Sequence, residues 1–155
     1  MLEEYTLLHT SIQRRWGALQ NLVLDALLSY SQEQLPTPDT GNLREDLVAL
    51  AGLIAAYLDT PLGTALAQAM VAADDEPALA ESRARFWRAR YDTTRTIIDR
   101  AIDRRELAVG TDRRLALELL VAPLHFRALL TRQPIEEDWI ERMVDALLRG
   151  LAQRR

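Results

Sequence analysis

Between Leu115 and Leu130 the chain reads LALELLVAPLHFRALL, apolar around almost the whole of a helical projection, with only Glu118, His125 and Arg127 interrupting it. A helix of that kind has to be covered on more than one side. The segment beyond Pro134 carries a second wide stripe, Trp139, Ile140, Met143, Val144, Leu147, Leu148 and Leu151, opposite a polar face of Glu137, Glu141, Asp145 and Arg149. In a chain of 155 residues, the remainder cannot fully wrap two such helices at the C-terminal edge. The economical solution is a second copy of the same pair, a four-helix interface across a two-fold axis. Such an interface buries about 1,600 Å² or more in total when it is stable. A homodimer is therefore expected, with Leu120, Leu124, Arg127, Trp139, Met143 and Leu147 at the interface. A monomer with one deeply internal helix is the alternative.

Helix signals are strong elsewhere too, and no segment alternates apolar and polar residues as a half-buried strand would. A first helix is expected from near Arg14 to about Gln34, with Trp16, Leu19, Val23, Leu27 and Tyr30 on one side. The run QLPTPDTGN (34–42) reads as a loop, because its two prolines and Gly41 cannot continue a helix. A second helix follows from about Leu43 to Asp59. Thr60-Pro61 restarts the chain, with Thr60 as N-cap and Pro61 at the first helical position, and this helix fades at Ala72–Asp74. Asp75 and Pro77 repeat the start signal for the longest helix, which ends near Leu107 with Gly110 as a left-handed stop. Thr111 caps a helix over about Asp112–Thr131, and Pro134 separates it from the last, about Glu136–Gln153. Six or seven helices with short connections make an all-α bundle.

Several function classes find no support in the residues. The chain has no cysteine and two histidines, which removes disulfides, thiol nucleophiles and cysteine-based zinc sites. Neither His9 nor His125 stands three residues after a glutamate, so the paired Glu-x-x-His pattern of a di-iron bundle is missing. There is no Gly-x-Ser-x-Gly elbow, and the six glycines are too scattered to cradle a phosphate. No enzymatic activity, metal or cofactor is expected. A net charge of −4 suits poorly a chain whose whole surface meets nucleic acid. All 19 basic residues are arginine, and the run from Arg83 to Arg105 is interleaved with acids. Glu81–Arg85, Arg88–Asp92 and Arg95–Asp99 are i, i+4 pairs, which reads as a solvated, salt-bridged helix face. No apolar run reaches the roughly 18 residues of a membrane span. The start MLEEYTLLHT is acidic and lacks the basic opening of a signal peptide. A cytoplasmic protein with no membrane partner is expected.

The segment RRELAVGTDRRLALELLVAPLHFRALLTRQPIEEDWIERMVDALLRGL (104–151) resembles the regulatory domain of TetR-family transcriptional regulators. That family often shows an R-G-E-L turn, a helix carrying P-L-x-Y/F-R-x-L, a proline turn and a helix ending L-x-G-L. The matching elements are Arg105-Glu106-Leu107, Pro123-Leu124-His125-Phe126-Arg127-Ala128-Leu129, Gln133-Pro134 and Leu148-Arg149-Gly150-Leu151. The family's glycine after the first arginine is missing. Near the start, Ser11-Ile12-Gln13-Arg14-Arg15-Trp16 with Leu19 and Leu22 is similar to the recognition helix of the same family and its exit. By that resemblance Arg14 and Arg15 are DNA-binding residues. Gln13 and Leu19 replace the tyrosine and lysine that usually hold DNA phosphates, which lowers affinity. A helix-turn-helix also needs a supporting helix in front, and ten residues are too few to supply it. Residues 1–16 are thus expected to be the remnant of a DNA-binding head and residues 17–155 an all-helical ligand-binding and dimerisation domain. Operator DNA is a partner only where a complete helix-turn-helix is present.

In that family the middle helices enclose an effector pocket, here about Leu43–Leu107. Phe86, Trp87 and Tyr91 lie on the longest helix, with Trp87 and Tyr91 stacked at i, i+4, and Tyr57 and Met70 facing them from the preceding helices. The resemblance therefore implies a small apolar or amphipathic effector held by Tyr57, Met70, Phe86, Trp87, Tyr91 and His125. His125 follows Pro123, which removes a helical hydrogen bond and frees a carbonyl near residue 119 that a neutral imidazole could reach. The competing reading makes these residues ordinary core and the chain a homodimeric interaction module without a ligand.

Overall fold

The computed structural model describes residues 35–72 and 77–152, together with positions 26, 29, 30 and 33, and all regular structure among them is helical. The expected head at 1–16, with Arg14 and Arg15, lies outside the described residues, as does most of the expected helix 14–34. Helix α1 spans Leu43–Leu58, α2 Pro61–Ala72, α3 Pro77–Asp103, α4 Arg113–His125 and α5 Glu137–Ala152. A π-helical segment, Phe126–Thr131, continues α4.

Helix α1 is the centre. Asn42 caps it by accepting the Glu45 N–H at 3.1 Å, and Glu45 and Asp46 place acids at the positive end of the helix dipole. Leu43, Leu47, Leu50, Ile54 and Leu58 recur every three or four residues and are all buried. The other four helices pack against this helix, and the core joins it to Ile97, Ile98 and Ala101 of α3, Leu117, Leu120 and Leu124 of α4, and Ile140 and Val144 of α5.

The turn into α2 follows the expected chemistry. The Thr60 hydroxyl accepts the Gly63 N–H at 3.0 Å and donates to the Tyr57 carbonyl at 2.7 Å. A Cβ on Gly63 would lie 2.0 Å from that carbonyl oxygen, so only glycine lets α2 leave α1 so closely.

Two helix ends differ from expectation. Helix α3 stops at Asp103, and the left-handed residue is Arg105, at φ 64°, not Gly110. The Glu106 N–H bonds the Ala101 carbonyl at 2.8 Å and the Arg105 N–H bonds the Ile102 carbonyl at 2.9 Å, which is a Schellman closure. An arginine thus occupies the position where the R-G-E-L pattern has glycine. The N-cap of α4 is Asp112, which accepts the Leu115 N–H at 3.0 Å, in place of Thr111.

The arginine run is not one solvated face. Arg95–Asp99 pairs at 4.0 Å as expected, but Arg90 and Arg100 turn towards the loop before α1 and Arg104 towards Asp46 in the first turn of α1. Arg90 is buried and donates to the Leu35 carbonyl at 2.9 Å, while Arg100 bonds the Pro38 carbonyl and pairs with Asp39 at 3.3 Å. Asp46 has no exposure at all. Its Oδ1 accepts from the Thr40 N–H at 2.6 Å and the Thr40 hydroxyl at 2.8 Å, and its Oδ2 lies 3.9 Å from Arg100 and 3.8 Å from Arg104. Two guanidinium groups and two short hydrogen bonds compensate a carboxylate that would otherwise be costly to bury. Glu106 completes the joint by accepting from Arg104 at 2.7 Å and from the Leu43 N–H at 2.8 Å.

Left-handed backbone at a residue with a Cβ costs about 1–2 kcal/mol, part of which glycine returns through its greater freedom when unfolded. Arg105→Gly should therefore raise stability by about 0.5–1 kcal/mol in urea denaturation, and an equal or lower stability would contradict the Schellman assignment.

Candidate functional site

A chamber of about 740 Å³ opens between α1, α2, α3 and α4, with Leu35 of the preceding loop at its edge. It falls in the size range of small-molecule sites, about 300–1,000 Å³. Its walls are chiefly apolar, with Leu50, Ile54, Leu66, Leu117 and Val121 contributing. Tyr57, Met70, Phe86, Trp87, Tyr91 and His125, the six residues expected at a ligand site, all line this one space.

The side chains are held by local geometry. Trp87 meets Phe86 edge-on at a centroid distance of 5.1 Å and His125 at 5.9 Å, so its ring partners are these two in place of the expected Tyr91 stack. His125 Nδ1 lies 3.1 Å from the Val121 carbonyl, which requires the N–H on Nδ1 and leaves Nε2 an acceptor. That carbonyl, not one near residue 119, is therefore the imidazole's anchor. Burial holds the imidazole below its ordinary pKa, opposed in part by the Val121 bond, and keeps it neutral near pH 7.

The charged groups on the wall are Arg88, Arg90, Arg114 and Glu118. Arg114 and Glu118 pair at 2.8 Å, a mutual neutralisation at exposed positions. Arg90 is the buried one, and its link to Leu35 joins the chamber wall to the loop before α1. In the sequence Arg90 is hard to tell from its neighbouring arginines. The signal was its phase, since Ser82, Phe86, Arg90, Thr94, Ile97 and Ala101 follow one inward stripe at spacings of three and four.

Comparison with known proteins agrees with this architecture. Residues 37–147 match the family model described as "Tetracyclin repressor-like, C-terminal domain". The chain belongs to the TetR family. It is 37% identical over 115 residues to the HTH-type transcriptional regulator AqdR of Rhodococcus erythropolis, covering 74% of this chain and 56% of that protein. The chain thus spans little more than half of AqdR's length. It is 26% identical over 142 residues to the uncharacterized HTH-type transcriptional regulator YdeS of Bacillus subtilis, covering 91% of this chain and 72% of that one. The crystal structure of the TetR family transcription regulator SCO0332 superposes with a TM-score of 0.77 at 23% identity, over 91% of this chain and 79% of that one, a likeness of fold.

On this TetR-type frame the residues expected at a dimer interface separate. Leu120 and Leu124 are 0% exposed and belong to the chain's own core, so neither can touch a partner directly. Arg127 turns back on its own chain, donating to the Pro134 carbonyl at 2.8 Å with its guanidinium 4.7 Å from the Trp139 ring centroid. That places Trp139 half-buried beneath an arginine of the same chain. Met143 and Leu147 instead line an open groove with Leu115, Leu119, Ala146 and Leu151. Along α4 and the π segment, Leu115, Leu119, Phe126 and Leu130, none of them among the residues expected at the interface, are large apolar side chains left exposed, the last three at 48%, 54% and 71%. No metal-holding cluster of His, Cys, Asp or Glu exists among the described residues, and no helix there is long and apolar enough to cross a membrane.

His125 ties stability to pH. Its folded pKa is lowered, so its contribution is fully present above the ordinary value of 6.5 and is lost as pH falls through the folded value. Urea melts from about pH 7.5 down to about pH 5.5 should show wild type losing stability that His125→Phe does not lose. Parallel losses in the two proteins would contradict a half-buried imidazole held neutral.

Proposed function

We propose that this chain is the effector-binding and dimerising core of a TetR-family transcriptional regulator. The observation that carries the reading is the convergence of Tyr57, Met70, Phe86, Trp87, Tyr91 and His125 on one apolar chamber with a few polar groups. A small apolar or amphipathic molecule enters there. The exposed face of α4 and the π segment, with the groove it shares with α5, joins a second copy, because leucines at this exposure are unfavourable in water.

Occupancy of the chamber acts through α3 and α4, which supply most of its polar groups. Arg90 and Arg100 of α3 grip the loop 35–42, and Arg104 just beyond α3 holds Asp46 of α1 beside it, so a shift of α3 moves that loop. In a protein with a complete helix-turn-helix, that movement alters the spacing of two DNA-reading heads across the dimer, with a coupling of about 1–3 kcal/mol. Arg14 and Arg15 contact DNA in that setting, and the Gln13 and Leu19 replacements weaken the grip on phosphates.

Thermal melts against a library of small amphipaths test the reading. A specific ligand at 100 times its dissociation constant adds about 2.7 kcal/mol to stability. Ala67→Phe, which fills the chamber from α2, should abolish the shift while leaving the helical circular dichroism unchanged. A library without effect, or a shift that survives the filled chamber, would overturn it.

A further inference from the structure

The chamber's charge is the opposite of the chain's. The protein carries a net charge of −4, yet the chamber lining holds three arginines, Arg88, Arg90 and Arg114, against one glutamate, Glu118. Glu118 is already engaged by Arg114 at 2.8 Å, and Arg88 stands at an exposed position. Arg90 differs from both. It is only 8% exposed, lines the chamber, and among the described residues its partner is a neutral backbone carbonyl, Leu35 O at 2.9 Å, with no carboxylate paired to it.

A buried guanidinium without a counter-charge is costly, because one carbonyl dipole does not replace the hydration of a cation. The Leu35 bond uses Nη1. Nη2 and Nε remain, and a guanidinium presents its N–H groups as a planar fork that matches a carboxylate in two parallel bonds. Anchoring one corner on Leu35 limits the rotamers of a long side chain, so the fork is held before any ligand arrives. Desolvation disfavours the charged form of Arg90, and an arriving anion would relieve that penalty.

We infer that the chamber selects small amphipathic anions, an apolar body bearing a carboxylate, with Arg90 as the receptor for the charged end. The inference rests on the effector-site reading above and names the chemistry of its ligand. The apolar body packs on Leu50, Ile54, Leu66 and Leu117, and Trp87 supplies a flat wall for an unsaturated one. Neutral His125 offers Nε2 as an acceptor, so it tolerates a donor on the ligand and contributes no competing positive charge.

Matched probes test this with the chain as it exists. Decanoate and decanol, and naphthylacetate and naphthylethanol, differ chiefly in the charged end. Titration calorimetry and thermal melts on wild type should show each carboxylate binding at least about tenfold more tightly than its alcohol, as hydrogen bonds to a charged group allow. In Arg90→Met the preference should collapse to within about twofold while the alcohols still bind, and Arg90→Lys should keep part of it. Carboxylate and alcohol binding equally well to wild type would overturn the anion inference while leaving the chamber reading standing. Retention of the preference in Arg90→Met would move the receptor elsewhere and overturn it as well. Failure of all four probes would overturn both. The wild-type comparison decides the matter even if Arg90→Met does not fold.

Discussion

A helix that is apolar on every side cannot be satisfied by one neighbour, and the run 113–131 meets three different surroundings. Ala116, Leu117, Leu120 and Leu124 face α1 and the shared core, and Leu117 also reaches the chamber with Val121, Ala122 and His125. Leu115, Leu119, Phe126 and Leu130 face outward. At about 25 cal/mol per Å² of apolar surface, each large side chain moved from water to cover is worth about 1.5–3 kcal/mol. That gradient places the core face first and leaves the outward face as the surface with most to gain from a partner. Pro123 and the π turns sit where this division shifts, and the left-handed Arg132 ends the segment. There Arg127 folds onto Trp139, so a cation expected at the dimer interface instead closes the corner between α4 and α5 of its own chain.

The second constraint is the buried carboxylate of Asp46. It fastens Thr40 of the loop to Arg100 and Arg104, at the C-terminal end of α3, and Arg90 fastens Leu35 thirteen residues before Asp103 on the same helix. The loop 35–42 is thus pinned at both ends to one long rod, the rod that also forms a chamber wall. Charges buried in this way add little net stability, but they demand one geometry, because any slippage leaves Asp46 or Arg90 desolvated without a partner.

Much of this was legible in the residues, for physical reasons that also explain the failures. Local signals acted locally: Thr60-Pro61 starts α2, Leu43 starts α1, and the prolines of 34–42 keep that stretch non-helical. The six chamber residues came within reach through the family resemblance, which implies a pocket among the middle helices, and their large aromatic and sulfur-bearing side chains all line one cavity there. Positions decided by tertiary context were not. Leu120 and Leu119 are the same residue type one position apart, and only the orientation of α4 against α1 makes one core and the other surface. Arg90 looks like any other arginine until the phase of α3 is known. Gly110 looked like the natural left-handed stop, but hydrogen-bond closure over Ala101 and Ile102 put that strain on Arg105.

The account turns on the outward face of α4 and the groove it shares with α5 being covered by another copy of this chain. Sedimentation equilibrium at micromolar concentration measures that directly. A particle of about twice the 17.6 kDa chain mass, reduced to a single chain by Leu119→Glu, is the expected result. A wild-type particle of one chain mass across the whole concentration range would contradict it.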